Sequence, residues 1–518
     1  MIEHSTVRFE LPVENEDNIL NARNNNRNDS IKTGNETVLR IYKNGRREMT
    51  IVNDVLGKMN EIMYTYILII MLVGTGIYFT IRTRGVQFRL LKDGIKSMLE
   101  KSGVDEDGNK KVSSFQALMI STASRVGTGN IAGIATAIAA GGPGAVFWMW
   151  VTAIIGGASA FIESTLAQVY KVKVDGQFRG GPSYYMEKAL GKRWMGVLFS
   201  VLLIICFAYG FNGLQSYNIS SALEYYIPNY SDTLFPMLVG IVLAVLTGLV
   251  IWGGVHRIGF ISSVLVPVMA LAYILMGIVT MIMHITELPN IFALIFKSAF
   301  DVKAIMGGFA GSAVVIGIKR GLFSNEAGMG SAPNASASAD VNHPVQQGLV
   351  QVISVFIDTL MVCSSTAMML FVSGVQGESG TLDGIPYVQA AISKNVGEWG
   401  IHFITFAIFA FAFSSLIGNY YYAESNILFI KNNKVLLNAF RVTCVVAIFL
   451  GAQADFSLAW NLADVTMGFM AIVNIIAILL LGNVAIKVLK HYEQQKKDGK
   501  EIKFVGEDTG IEGTVWKE

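Results

Sequence analysis

Two glycine-rich stretches place polar residues inside apolar surroundings: "SRVGTGN" at 124–130 and "KRGLFSNEAGMGSAPNAS" at 319–336. Each glycine weakens a helix by about 1 kcal/mol relative to alanine. Gly127 and Gly129 bracket Thr128, so a helix can unwind there and free its peptide groups. A helix restarting near Asn130 would turn its positive end toward a carboxylate. The second stretch holds Gly321, Gly328, Gly330 and Pro333 and is expected to break in the same way. Close helix packing of the small-xxx-small kind is the simpler use of such glycines, but packing alone does not require Arg, Asn and Ser at the same places. The adjacent hydroxyls of Ser414 and Ser415 interrupt the apolar run "FAIFAFAFSSLIGNYYYAE". They can bond back to their own helical turn or offer oxygen to a hard cation. The chemistry available here is coordination rather than bond making.

Six charges fall inside apolar runs: Arg125, Glu163, Arg320, Glu326, Asp358 and Glu424. Charges are expensive in a membrane and are functional candidates by default. The favoured reading is bracing, with Arg125 paired to Glu163 or Asp358, and Arg320 paired to Glu326.

The elements that carry these residues follow from composition. The chain has 518 residues, 52% hydrophobic and 15% charged, with 52 glycines, against about 25% charge in soluble domains. The class is an all-α polytopic membrane protein. A net charge of +2 gives no nucleic-acid footprint. Cys206, Cys363 and Cys444 lie far apart in apolar runs and read as buried hydrophobes. The six histidines are scattered, so no metalloenzyme site is assembled and no cofactor is expected.

A span needs roughly 20 apolar residues, and eleven such stretches lie between 61 and 486. Residues 1–60 read as a polar, mobile N-terminal tail, 61–84 as a first transmembrane helix, and 85–103 as an amphipathic helix on the cytoplasmic surface. Lys and Arg cluster in the loops after the first, third and ninth spans and in the tail 491–518, which places the C-terminus in the cytoplasm and the N-terminus outside. Lys43, Arg46, Arg47 and Lys58 run against that orientation and are outvoted by the later loops.

A shift of 195 residues superposes Arg125 on Arg320, Asn130 on Asn325, Gly133 on Gly328 and "FIES" at 161–164 on "FIDT" at 356–359, so Glu163 falls on Asp358. Five spans separate the matched points. An odd number of crossings inverts the second copy, giving inverted repeats at 112–285 and 304–490. In transporters with this symmetry the first helix of each copy is broken near the bilayer midplane, where solute and ion bind.

At "GTGNIAG…GGPGAVFWMW" and "RGLFSNEAGMGSAPNA…HPVQQG…FIDT" the sequence resembles the alanine/glycine:cation symporter family, from about residue 61 to 490. The resemblance implies a LeuT-like core of two inverted five-helix repeats behind one extra N-terminal helix, eleven in all. It implies symport of a small neutral amino acid, alanine or glycine, with Na⁺ by alternating access across a prokaryote-like cell membrane. Carried over by position, the substrate carboxylate meets the amides around Gly127, Thr128, Gly129 and Asn130. Phe323, Asn325 and Met329 line the second break, and Gln215 and Asn218 neighbour the pocket. The Na⁺ ligands are the carbonyls of Ala123, Val126 and Phe411 with the hydroxyls of Ser414 and Ser415. The chain departs from the family pattern at Asn419, where Trp is frequent, and at Ser336, where His follows alanine; Asn419 enlarges or polarises the pocket.

The alternatives are coupling to protons, a broader or larger polar substrate range, and a membrane-embedded enzyme. An enzyme needs a nucleophile with its base, or metal ligands, on facing helices; no such constellation is visible.

Overall fold

A computed structural model describes residues 52–100, 103, 111–174, 176–301, 311–378, 381–511 and 515–516. Most of the expected tail, and 304–310 of the second repeat, lie outside the described residues. The chain divides into Met1–Lys58 and Met59–Glu518. Residues 52–58 of the first unit are helical; everything below concerns the second. The boundary expected at 60 falls inside a helix rather than at its start.

Eight helices among the described residues are long and apolar enough to cross a membrane. The protein is therefore a multi-pass membrane protein. Its first helix, Val52–Arg82, widens into a π-helical turn at Met63–Leu68 and continues as α1, Ile69–Arg82. Gly85 has φ 66° and turns the chain toward the short amphipathic α2, Leu91–Leu99.

The first expected break is present. Ser113 and Gln116 form a reciprocal capping box that starts α3, Ser114–Arg125. The helix stops at Val126, with φ −80° and ψ 79°, passes through a 3₁₀ turn at Thr128–Asn130, and resumes as α4, Ala132–Gly141. Then come α5, Gly144–Val169, and a helix in which a π segment, Ile205–Phe211, joins α6, Arg193–Ile204, to α7, Asn212–Ser221. Two further apolar helices, α8 at Phe235–Ile251 and α9 at Gly254–Met283, complete the first copy.

Helix α10, Leu288–Ala299, lies between the copies. The second break follows α11, Ala313–Asn325: Glu326 adopts φ 55°, and Gly328 and Gly330 adopt φ 83° and 86°. These left-handed values suit glycine. The chain returns through the single turn α12, Pro333–Ser336. Helix α13, Pro344–Phe356, a π segment at Ile357–Cys363 and α14, Ser364–Ser373, form one long element. After α15, Gly384–Val396, come α16, Trp399–Ile430, α17, Lys434–Gly451, and α18, Phe456–Lys497.

Three details differ from the sequence reading. Helices α10 and α15 fill stretches taken as connections, because each is too short to register as a span. The expected boundary at 491 falls inside α18, which runs on to Lys497 with Tyr492 buried and Lys496 paired to Asp93 at 2.5 Å. The chain beyond it packs inward rather than trailing: the Phe504 N–H donates to Asn342 at 2.9 Å, and the Trp516 indole donates to the Gln168 carbonyl at 2.8 Å.

Burial is sorted as a bilayer requires. Helices α8 and α9 expose Ile241, Val245 and Leu249, and Val264, Val268 and Leu271, an apolar face suited to lipid. The polar residues of both breaks are turned inward. Helix α5 packs against α13 and α11, and α16 packs against α3 and α7, so both breaks sit within protein, where irregular backbone can be satisfied.

Candidate functional site

The first break is held by side chains from three other elements. The Thr128 N–H donates to Gln215 Oε1 at 3.1 Å, and Asn218 Nδ2 donates to Thr128 Oγ1 at 2.9 Å. The Gly127 N–H donates to Asn130 Oδ1 at 3.2 Å. Asn130 Nδ2 donates to Asp358 Oδ1 at 2.6 Å, and Thr366 Oγ1 donates to the Asn130 carbonyl at 2.6 Å. Asn130 thus spends its side chain on shaping the turn. The π segment Ile357–Cys363 is what aims Asp358 at it; such wide turns recur at functional sites.

Both glycines of this break are sites of close approach. A Cβ on Gly127 would collide with Ser415 Oγ and come within 2.9 Å of Gln215 Nε2. One on Gly129 would collide with the Phe323 ring. Phe323 in turn meets Phe211 at 4.8 Å and Trp460 at 5.2 Å between centroids. The structure therefore gathers Gly127, Thr128, Gly129, Asn130, Gln215, Asn218, Phe323 and Ser415 around one point.

An oxygen cluster adjoins it. Ser415 Oγ lies 3.0 Å from both the Ala123 and Phe411 carbonyls. Ser414 Oγ lies 2.8 Å from Phe411 O and 3.5 Å from Ala123 O. Both hydroxyls bond back to their own turn and also reach across to α3. Val126, three residues on from Ala123, is where α3 stops. Four neutral oxygens from two helices converge, and rotating two hydroxyl protons away exposes lone pairs to a cation. Such neutral oxygens are the donor type that hard cations take.

The second break is braced differently. Gly328 and Gly330 donate their N–H groups to the two oxygens of Glu163 at 3.3 and 3.1 Å. Asn474 Nδ2 bridges Glu163 Oε2 at 2.8 Å and the Gly328 carbonyl at 2.9 Å. Asn325 Oδ1 accepts from the Ala327 N–H at 3.0 Å, and Met329 is fully buried, with its N–H on the Glu326 carbonyl at 3.2 Å. Asn325 and Met329 thus serve their own turn. Asn419 joins a third group: it accepts from Ser124 Oγ at 2.6 Å and donates to Asn212 at 3.0 Å.

The expected ion pairs are replaced. Arg320 does not pair with Glu326. It grips Asp464 through two bonds of 3.0 and 3.2 Å, with Lys319 on the same carboxylate at 2.6 Å and the guanidinium 4.2 Å above the Trp460 ring. Two cations on one buried anion outcompete the αL Glu326, whose carboxylate takes Ser331 at 2.5 Å. Arg125 makes no hydrogen bond among the described residues, but its charge acts on its expected partners Glu163 and Asp358, and on Glu326; the hydrogen bonds of Glu163 and Asp358 go to the two breaks. Glu424 lies 4.0 Å from Arg179 and 3.9 Å from Arg441. Asp464, Asn474, Asn212 and Ser124 were missed in the sequence. The signal for Asp464 was present, a lone acid within the apolar run of α18.

The profile of the Sodium:alanine symporter family matches residues 49–506. The chain belongs to that family. It is a transporter, not an enzyme. It is 47% identical to the amino-acid carrier protein AlsT of Bacillus subtilis over 86% of this chain and 93% of that one. It is 47% identical to the probable sodium/glutamine symporter GlnT of the same organism over 88% and 93%, and 37% identical to the sodium/alanine symporter AgcS of Methanococcus maripaludis over 86% and 98%. Among solved structures it resembles MhsT in complex with L-phenylalanine, with a TM-score of 0.53 at 12% identity, covering 78% of this chain and 94% of that one. That likeness establishes the LeuT-like fold.

Proposed function

We propose that this protein carries a small neutral amino acid, alanine among its substrates, together with Na⁺ by alternating access. The observation that carries the reading is the set of oxygens from Ala123, Phe411, Ser414 and Ser415 lying directly against Gly127, at the unwound turn. A cation there ties α16 to α3 and fixes the turn that receives the solute, so ion and solute bind together. In this reading Val126 contributes its carbonyl to the ion. Gly127, Thr128, Gly129 and Asn130 receive the carboxylate, and Gln215, Asn218, Phe323, Asn325, Met329 and Asn419 complete the solute's surroundings. The protein crosses the cell membrane eleven times, counting α8 and the two broken helices with the eight long ones, with its C-terminus in the cytoplasm and its N-terminus outside.

One Na⁺ moving down 100 mV supplies about 2.3 kcal/mol, enough for roughly fiftyfold accumulation before any concentration gradient is added. Uptake of labelled alanine into proteoliposomes tests the reading: an inward Na⁺ gradient should drive accumulation, and K⁺ in its place at constant pH should abolish it. Equal uptake in K⁺ overturns it, and uptake that follows a pH gradient instead transfers the coupling to protons.

A further inference from the structure

The short helix that follows the first span has two unlike faces. Gly94 and Ser97 of α2 turn inward and are buried. A Cβ on Gly94 would stand 3.0 Å from Ile353 Cδ1 and 3.1 Å from the Leu349 carbonyl, so α2 lies tight against α13. Lys92, Ile95, Lys96 and Leu99 follow one another at spacings of three, one and three, which puts all four on the opposite face. That face is open. Ile95 and Leu99 are 45% and 71% exposed, and Phe88, on the turn just before α2, is 57% exposed.

The charges of this stretch are sorted in the same way. Both of its acids are spent on the protein: Asp93 pairs with Lys496 at 2.5 Å, and Glu100 accepts from Gln346 Nε2 at 2.6 Å. Arg89 is spent as well, on Glu493 at 2.6 Å. The side chains of Arg84, Lys92 and Lys96 are exposed and make no hydrogen bond or ion pair among the described residues. Arg82, at the end of α1, donates to two neutral oxygens, Tyr78 Oη at 2.7 Å and Asn483 Oδ1 at 2.8 Å. Four cations without a carboxylate among the described residues thus stand beside three bare apolar side chains, directly after a membrane span. Lys496 belongs to the last turn of α18, so α2 sits on the side of the membrane that carries the C-terminus.

We infer that this face binds the headgroups of anionic phospholipids in the leaflet on that side. An amphipathic helix in the membrane plane sinks its apolar residues to the edge of the acyl chains and keeps its cations at headgroup level, and a basic cluster next to a span draws anionic headgroups. Lys92 and Lys96 lie one turn apart, with about 5–6 Å between their Cβ atoms, so both ammonium groups can reach one phosphate. Phe88, Ile95 and Leu99 commit the face to a lipid, because a soluble anion has no use for them. The pairs to Lys496 and Glu493 and the packing on α13 hold the face in place before any lipid arrives. The inference does not depend on which solute and ion the protein carries. Lysines that only mark the positive side of the membrane need no selective contact, and that is the reading to be separated from it.

Native mass spectrometry of the full chain, released from micelles holding equal amounts of phosphatidylglycerol and phosphatidylcholine of one chain length, reads the preference between the two lipids. The unaltered protein should prefer phosphatidylglycerol by about tenfold or more, and Lys92→Gln and Lys96→Gln should each remove roughly fivefold of that preference. Leu99→Ser should lower the amount of phosphatidylglycerol retained, and millimolar inorganic phosphate should not displace it. Lys431→Gln combined with Lys434→Gln, where α16 gives way to α17, should leave the preference unchanged. All the substituted residues are exposed, so each variant is expected to fold. Equal retention of the two lipids by the unaltered protein overturns the inference, as does a preference that survives both α2 lysine substitutions or falls equally with the Lys431 and Lys434 pair. Displacement by inorganic phosphate, with no effect of Leu99→Ser, also overturns it and makes the face a site for a soluble anion.

Discussion

Glu163 and Asp358, which occupy equivalent positions in the two copies, brace each other's breaks. Glu163, on α5 of the first copy, accepts the Gly328 and Gly330 amides of the second break, while Asp358, on the second helix of the second copy, accepts from Asn130 of the first. Each copy therefore supplies the carboxylate that the other needs, and neither broken helix can hold its shape alone.

Glu163→Ala should be severe for that reason. It strands the two buried N–H groups of Gly328 and Gly330, at about 1–3 kcal/mol for each polar group left unpaired, and removes one of the Asn474 amide's bonds. Thermal unfolding of the detergent-solubilised protein should show a Tm lower by several degrees, and Na⁺-driven uptake should be lost. Glu163→Gln keeps an acceptor and should recover part of the Tm. An unchanged Tm for the alanine variant would mean that the second break is held by other contacts.

Ser415→Ala removes the hydroxyl that lies 3.0 Å from both carbonyls of the oxygen cluster. If the cluster holds the coupling ion, half-saturating Na⁺ for uptake should rise by about tenfold or more, the loss of one ligand being worth at least ~1.4 kcal/mol. Ser414→Ala, whose oxygen lies farther from Ala123, should show a smaller rise. Hydroxyls that only bond back to their own turn predict the same Na⁺ dependence in all three proteins.

Gly129 has no room for a side chain, because its hydrogen faces the Phe323 ring. Gly129→Leu should insert into the membrane and lose solute binding, read as the disappearance of alanine-dependent protection against heat. The smaller Gly129→Ala should be partly repaired by Phe323→Ala, which removes the ring it strikes. Full alanine binding by Gly129→Leu would show that the solute does not sit at this turn.

The breaks were legible because glycine and charge have no cheap place inside a membrane helix, and the offset of 195 residues exposed the pairing of Glu163 with Asp358 as mates. Their exchange of partners was not legible. A sequence offset relates equivalent positions, whereas the hydrogen bonds run between copies, and only packing of α5 on α11 and α13 brings them together. The same limit explains Arg320: its partner Asp464 lies 144 residues away on α18, and spacing on α11 pointed to Glu326 instead. Short helices such as α10 escaped because hydropathy registers only lengths near the bilayer thickness.

Lys171 gives a prediction about pH. It lies just past α5, buried, with its ammonium 2.8 Å from Gln168 Oε1 and 3.0 Å from the Ala339 carbonyl, and with the Phe178 and Trp516 rings at 4.0 and 4.4 Å. Burial lowers its pKa from 10.5 to about 7, against the pull of Asp340 and with the push of Lys111. Between those two values the unfolded chain carries a proton that the folded chain has shed, so stability rises with pH across that window and the gain is complete above 10.5. Below about 7 the folded state holds the proton too, and the dependence flattens. Unfolding temperatures measured from pH 6 to 10 should therefore climb in the unaltered protein relative to Lys171→Met, which removes the titrating group and keeps an apolar stem between the rings. Trp516→Ala opens the burial that depresses this lysine, so the climb should begin at higher pH and be smaller. Parallel curves for all three proteins would show that the terminal segment leaves Lys171 exposed to water in solution.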